Sequence, residues 1–574
     1  MTDKKHVYFF GDGKADGVAG MKNLLGGKGA NMAEMTTLGI PVPAGFTITT
    51  EVCTYFYEHD RKYPDGLEKE VEEALGKVEE VMGASFGDPT NPLLISVRSG
   101  ARISMPGMMD TVLNIGLNDE AIKGLIARTG NERFAYDVYR RFVNMYGDVV
   151  LGVGPRDEKE HNPFEEIMDR KKKECGVKLD NELTAEDLKD LVARFKALIK
   201  DRLKRDFPDD PMEQLWGAIH AVFNSWQTPR AIAYREINNI PGDWGTAVNV
   251  QSMVFGNMGD DCATGVAFTR DPATGENYFY GEYLTNAQGE DVVAGIRTPQ
   301  PLNRAKEVPE GVSTLEDEMP DQYRQLDEIR ARLEEHYKEM QDIEFTIQQG
   351  KLWMLQTRTG KRTAASAVRI AVDMVNENLI DKKTGIMRVD AGQLDQLLHP
   401  TLEPKAEKIL IAKGLPASPG AGVGQVVFSA EEAEEWANEG RKVVLVRSET
   451  SPDDIRGMNV AEGILTSRGG MTSHAAVVAR GMGKPCVAGC SEVNIVYKKE
   501  QFTAGDVIIK KGDWISIDGS RGEVYNGKVA KVVPELAGEF RTFMRWVDEF
   551  RTMGVRTNAD TPHDSSVARD FGAE

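Results

Sequence analysis

The most pointed chemistry in the sequence lies in ILTSRGGMTSHAAVVARGMGKPCVAG, residues 464–489. Ile-Leu-Thr reads as the end of a strand, and Gly469 and Gly470 free the backbone to turn. Thr472 and Ser473 are good helix caps, and Ala-Ala-Val-Val-Ala-Arg-Gly-Met carries a helix away before Pro-Cys-Val-Ala-Gly opens another strand. His474 is therefore expected in the first turn of a helix, beside a glycine loop. The dipole and free N–H groups of that turn favour neutral imidazole, which keeps a ring nitrogen nucleophilic near neutral pH. The same N–H groups favour an anion attached to that nitrogen. A histidine so placed suits a covalent phosphoryl carrier, with Arg468 and Arg480 adding positive charge. A lone histidine at a helix start is more often a cap or a core residue. Here the loop, the caps and the two arginines weigh against that.

A second constellation is the segment DIEFTIQQGKLWMLQTR, residues 342–358, which reads as a hairpin turning at Gln-Gly. Strand alternation puts Asp342, Glu344 and Thr346 on one face and Ile343, Phe345 and Ile347 on the other, while Gln356 and Arg358 share a face. Folding it brings carboxylate and amide oxygens beside a guanidinium, a donor set that Mg²⁺ accepts together with nucleotide phosphates. The bland alternative is a solvated strand face. Near the N-terminus, Lys28 stands among glycines in Gly-Gly-Lys-Gly-Ala-Asn, where its ammonium could lie on phosphate; the spacing of a Walker A loop is absent, and the bland alternative, which weighs more for the cluster alone, is a turn. Arg98 and Arg102, four apart in Ser-Val-Arg-Ser-Gly-Ala-Arg, present guanidinium forks suited to phosphate oxygens.

The elements that must position these groups come from a chain of 574 residues, too long for one core. Seventy basic against ninety acidic residues give a net charge of −20, which disfavours a nucleic-acid partner. No apolar run approaches the roughly 20 residues of a membrane span, and the opening MTDKKHVYFFGDG has no signal core. Five scattered cysteines argue against a disulfide scaffold and fit a cytoplasmic protein. The segment ELTAEDLKDLVARFKALIKDRLK is a capped amphipathic helix with no function read into it. Residues 245–298 take on a β texture, LLHPTLEPK reads as a linker, a new unit opens at 415, and a helical linker follows at 534–554.

The pattern Gly-Gly-x-Thr-Ser-His-Ala resembles the phosphohistidine domain of the phosphoenolpyruvate-utilising family. Met471, where phosphoenolpyruvate synthase and Enzyme I usually carry Arg, is similar to the pyruvate, phosphate dikinase branch. LLGGKGANMAEM, SVRSGARISMPGMMDTVLN, IPGDWGTAVNVQSMVFGN, GVAFTRDP, NAQGEDVVAG and the hairpin resemble the nucleotide-binding part of that branch, in order, so the likeness covers essentially the whole chain.

The resemblance implies a multidomain α+β and α/β fold. An ATP-grasp domain would span 1–360, a linker 361–414, a swivelling β/β/α phosphohistidine domain 415–533 and a linker helix 534–554. Residues 555–574 would be the first step of a pyruvate/phosphoenolpyruvate-binding TIM barrel that is otherwise missing. By resemblance, His474 is the phosphorylated residue, and Lys28, Arg98, Arg102 and Arg358 contact ATP phosphates. Met109 and Thr269 line the nucleotide site, Glu344 and Gln356 hold Mg²⁺, and Thr472 matches the regulatory phosphorylation site of plant dikinases, served by a kinase/phosphatase. The implied reaction is ATP + phosphate + pyruvate = AMP + diphosphate + phosphoenolpyruvate, with this chain alone limited to the nucleotide half-reactions. A homodimer is expected only of the full-length enzyme. Alternatives are a related dikinase with another acceptor (water, or a drug or glucan hydroxyl) and a non-catalytic phosphocarrier.

Overall fold

A computed structural model describes residues 4–155, 161–294, 298–306, 308, 309, 311–394, 401–403, 406–532, 538–559, 561–570 and 572–574. It is a mixed α/β, multidomain protein. Among the described residues, three sheets carry the architecture. An antiparallel six-stranded sheet runs in the order Lys14–Ala15, Val7–Gly11, Gly45–Ile48, Thr246–Ser252, Ile95–Ala101, Thr111–Ile115. An antiparallel five-stranded sheet runs Gln300–Pro301, Tyr280–Thr285, Ala263–Phe268, Gln341–Gln348, Lys351–Thr359. The third has eight strands and a parallel centre, Ala421–Val427, Val443–Arg447, Gly463–Thr466 and Cys486–Ala488.

The expected hairpin forms from Gln341–Gln348 and Lys351–Thr359. Gln349 and Gly350 both sit at positive φ, 50° and 72°, the signature of a two-residue turn whose twist matches its strands. Ile343, Phe345 and Ile347 are buried in an apolar core with Met32, Met35, Leu326 and Leu333, which frees the opposite face for chemistry. The expected amphipathic helix is Ala185–Leu203, capped by Thr184 and Asp187 in a reciprocal box.

The Lys28 cluster is not a turn. It lies inside the helix Lys22–Thr37, broken at Gly26, whose φ of 67° carries no side-chain penalty. A β-carbon there would lie 1.8 Å from the Gly100 carbonyl oxygen, so glycine lets this helix press onto the six-stranded sheet. Of the two expected linkers, the helix Ala364–Asn376 packs Ala367, Val368, Ala371 and Val372 in one cluster with Phe543 and Trp546 of the helix Glu539–Phe550. Residues 395–400, 404 and 405, within or beside the LLHPTLEPK segment, and residues 534–537 lie outside the described residues. Of the strand, turn and helix expected after 554, the helix Pro562–Asp570 forms, while residues 555–559 are irregular because no strand among the described residues pairs with them.

Candidate active site

His474 is the first residue of the helix His474–Met482, and Ser473 caps it by accepting the Ala476 N–H. The helix is the crossover between the parallel strands Gly463–Thr466 and Cys486–Ala488. Parallel neighbours bring the loops at their carboxyl ends together. Arg447 pairs with Thr466, so the loop after Val443–Arg447 delivers Thr450 to the imidazole. Thr450 Oγ1 lies 2.9 Å from His474 Nδ1. Nε2 is buried with no partner among the described residues. Burial pushes the imidazole pKa down to about 4, so the ring is neutral at physiological pH. Loss of water is the cause that keeps the ring neutral. Arg480 does not add charge at the ring: its Nε donates to the Ala417 carbonyl at 2.6 Å and its Nη2 to the Met471 carbonyl.

Nε2 faces a cavity of about 680 Å³ between the six- and five-stranded sheets. Lys28, Arg98, Arg102, Met109, Glu344, Gln356 and Arg358, together with Thr472 and His474, line it. The sequence signals 446 residues apart therefore converge on one chamber. Thr269 does not join them. It follows the strand Ala263–Phe268, is fully buried, and donates its hydroxyl to Glu334 Oε2 at 2.6 Å.

The cavity carries opposed charge. Arg98 Nη1 lies 3.7 Å from Glu344 Oε2 and Arg98 Nη2 donates to Gln251 Oε1 at 2.6 Å and to the Leu355 carbonyl at 3.2 Å. Arg358 Nε donates to Asp342 Oδ2 at 2.7 Å. Burial pushes the Asp342 carboxyl up against the pull of Arg358. Burial and then the Arg98 charge push Lys28 down to about 7, with Glu344 opposing them. Such a crowd of cations invites a polyanion. Gln356 Nε2 donates to Glu344 Oε1 at 3.0 Å, while Gln356 Oε1 and Asp342 Oδ1 are buried with no donor among the described residues. Those orphaned oxygens, beside the Glu344 carboxylate, are acceptors that fit a hard divalent cation completed by phosphate oxygens and water.

Sequence reasoning missed three neighbours. Thr450 carries no motif of its own. Ser104 receives Arg358 Nη1 at 3.4 Å. Gly107, at φ 72°, presses its backbone against the imidazole: a β-carbon there would lie 3.2 Å from His474 Cδ2. Of these, Gly107 alone carried a local signal, as part of the glycine-bearing run 96–110 that lets backbone approach a ligand closely.

Among the described residues, no helix is long and apolar enough to cross a membrane. The family model described as "Pyruvate phosphate dikinase, AMP/ATP-binding domain" matches residues 22–65, 60–318 and 304–379. That described as "PEP-utilising enzyme, mobile domain" matches 440–522. The chain is 55% identical over 572 residues to pyruvate, phosphate dikinase of Rhizobium meliloti (strain 1021), covering 99% of this chain and 63% of that one. It is 54% identical to the Clostridium symbiosum protein of the same name, with 99% and 63% covered. It is 56% identical to the chloroplastic one of Flaveria pringlei, with 100% and 58% covered. The chain thus spans about three-fifths of the length of these curated relatives. With the two family models falling in order on the cavity-forming and histidine-bearing parts, the chain belongs to the pyruvate, phosphate dikinase family.

Proposed function

We propose that the chain transfers phosphoryl groups from ATP to His474, as the nucleotide part of a pyruvate, phosphate dikinase. The observation that carries this reading is the unpartnered Nε2 of a neutral, buried histidine at the wall of a cavity lined by Lys28, Arg98, Arg102 and Arg358. With Nδ1–H donating to Thr450, Nε2 holds the lone pair and attacks the β-phosphorus of ATP. The bond from the β-phosphorus to the oxygen shared with the α-phosphorus breaks, AMP leaves, and a pyrophosphoryl group stays on Nε2. Inorganic phosphate then takes the terminal phosphoryl as diphosphate, leaving phosphohistidine for pyruvate. The four cations neutralise charge that grows on the phosphate oxygens, and they do so preorganised in a site with little water. Met109 lines the same chamber. Glu344 and Gln356 would hold Mg²⁺, which supplies charge neutralisation across the phosphates when bound.

In this reading residues 1–360 are an ATP-grasp domain and 415–533 a swivelling phosphohistidine domain. The segments 361–414 and 534–554 link them, and 555–574 lead into a pyruvate-binding unit. Thr472, buried against the cavity with its hydroxyl unpartnered, would be the regulatory phosphorylation site, since a phosphate there would occupy the space beside Nε2. The test is labelling with ATP carrying ³²P at the β position. The chain should take up acid-labile label, His474→Ala should take up none, and Mg·ATP affinity should survive the substitution. Label persisting in His474→Ala overturns the assignment.

A further inference from the structure

The run Ile-Pro-Gly-Asp-Trp-Gly, residues 240–245, leads into the strand Thr246–Ser252, and the phosphoryl transfer to His474 leaves its tryptophan without work. Ala101, the last residue of the strand Ile95–Ala101, pairs with Thr246. Arg102 lies one residue past that pair and Trp244 two residues before it, so the antiparallel register brings them together. The Arg102 guanidinium carbon stands 5.3 Å from the centroid of the Trp244 ring, within reach of a cation–π contact. Two other arginines of the cavity are paired with carboxylates, Arg98 with Glu344 and Arg358 with Asp342. Arg102 Nε is buried with no partner among the described residues, and the group that backs its guanidinium is an aromatic ring. The turn that carries Trp244 is fixed at both ends. Trp226 Nε1 donates to the Gly242 carbonyl at 2.8 Å, and the Arg235 guanidinium packs over the Trp226 ring at 4.2 Å. At the other end Gly245 sits at φ 65°, and a β-carbon there would lie 3.0 Å from the Thr50 carbonyl oxygen and 3.1 Å from Cys53 Cβ. Trp244 itself is half-buried against the apolar core.

We propose that Trp244 is a positioning residue: from behind Arg102 it holds the guanidinium with its N–H donors turned to the phosphates of ATP. The inference rests on the reading of the cavity as the ATP site. Arg102 lines that cavity, and Trp244 is not among its lining residues, so the ring acts on the nucleotide only through the guanidinium. An aromatic face suits this work. It attracts the cation by its π-electrons and occupies none of the N–H donors that a phosphate would use. A carboxylate in the same place would take two of those donors and offset the charge. A ring also restrains a long, flexible side chain before the nucleotide arrives, so less freedom is lost on binding.

The experiment measures equilibrium binding of Mg·ATP to the parent chain, Trp244→Leu, Trp244→Phe, Arg102→Met and the double variant of Trp244→Leu with Arg102→Met. Trp244→Leu should bind about fivefold more weakly, the size of one partly buried cation–π contact. Trp244→Phe keeps an aromatic face and should stay within about twofold of the parent. In the Arg102→Met background, Trp244→Leu should cost less than about twofold more, because its effect runs through the guanidinium. Adenosine, which has no phosphate, should bind the parent and Trp244→Leu alike. A second measurement needs no nucleotide. Arg102→Met should shift the tryptophan emission of the parent and leave that of Trp244→Phe unchanged. Four results would each overturn the role of Trp244: the full fivefold loss persisting in Arg102→Met, a phenylalanine variant as weak as the leucine one, adenosine weakened in step with ATP, or parent emission unmoved by Arg102→Met. A parent chain whose emission shifts as expected but which binds no Mg·ATP overturns the reading of the cavity, and the phosphate-facing role with it, while the stack itself stands.

Discussion

Gly107 faces His474 across the boundary between the nucleotide cavity and the histidine-bearing sheet, with no room between them for a side chain. The gap is too small for a methyl group: a β-carbon on Gly107 would meet His474 Cδ2 at 3.2 Å and Pro452 Cγ at 2.9 Å. Gly107 also sits at φ 72°, where a side chain costs on the order of 1 kcal/mol before any clash. Gly107→Ala is expected to move the imidazole away from the cavity. Labelling of His474 should slow by at least about tenfold, since small misplacements of a reacting atom are costly. Mg·ATP affinity should stay within about twofold, because the phosphate-facing cations are untouched. Equilibrium binding and single-turnover labelling on the same preparation separate the two effects.

In the proposed reaction, Thr450 fixes which ring nitrogen attacks. Its hydroxyl occupies Nδ1 and leaves Nε2 to face the cavity. Thr450→Val keeps the volume but removes the partner. It should lower the labelling rate roughly 10- to 100-fold, the range in which loss of an orienting partner to a reactive group falls. Thr450→Ser should restore most of the rate. A serine variant as slow as the valine variant would mean that the methyl packing, and not the hydrogen bond, is what matters.

Lys28 gives a pH dependence near neutrality that His474 does not. With its pKa pushed to about 7 in the absence of ligand, it is largely neutral at pH 8. A polyphosphate beside it would restore its charge and raise its pKa. Affinity should therefore be constant below about pH 7 and fall as pH rises above it, with up to one proton taken up per ATP bound. Calorimetry in buffers of different ionisation enthalpy reads that proton directly. Lys28→Arg, always charged, should abolish the uptake. His474, pushed to about 4, should contribute no pH dependence above about pH 5.

What the sequence made legible was local. The hairpin and the two faces of its first strand could be read because strand alternation and a Gln-Gly turn lie within 17 residues, whereas the bulge that sets Glu344 opposite Gln356 instead of Leu355 carried no such mark. The placement of His474 could be read because caps, glycines and a helical apolar pattern adjoin it. Long-range contacts were not legible. Thr450 reaches His474 only because two parallel strands lie side by side, Gly107 only because the helix docks on the cavity, and neither relation leaves a local trace. The Lys28 cluster misled for a physical reason. Its glycines look like a turn, but Gly26 and Gly29 serve close packing, against Gly100 and against Thr47 and Asn249.

Thr269 and Arg358 were both assigned to the nucleotide site by resemblance, and the structure gives them different work. Arg358 lines the cavity, paired with Asp342. Arg358→Ala should slow His474 labelling by roughly 10²-fold, the usual loss on removing one preorganised charge. Thr269 instead ties the Glu334 carboxylate, donating at 2.6 Å, and accepts the Gln341 N–H at 3.1 Å. Glu334 in turn holds the fully buried Arg270 guanidinium, which also reaches Glu377. Thr269→Val keeps the shape but strips the carboxylate and the amide of a partner each, at a cost of about 1–3 kcal/mol. It should lower the denaturant midpoint of the nucleotide-binding half while leaving Mg·ATP affinity and labelling rate within about twofold at temperatures where the chain is folded. A Thr269→Val protein of parental stability that binds ATP tenfold more weakly would return this residue to the nucleotide site.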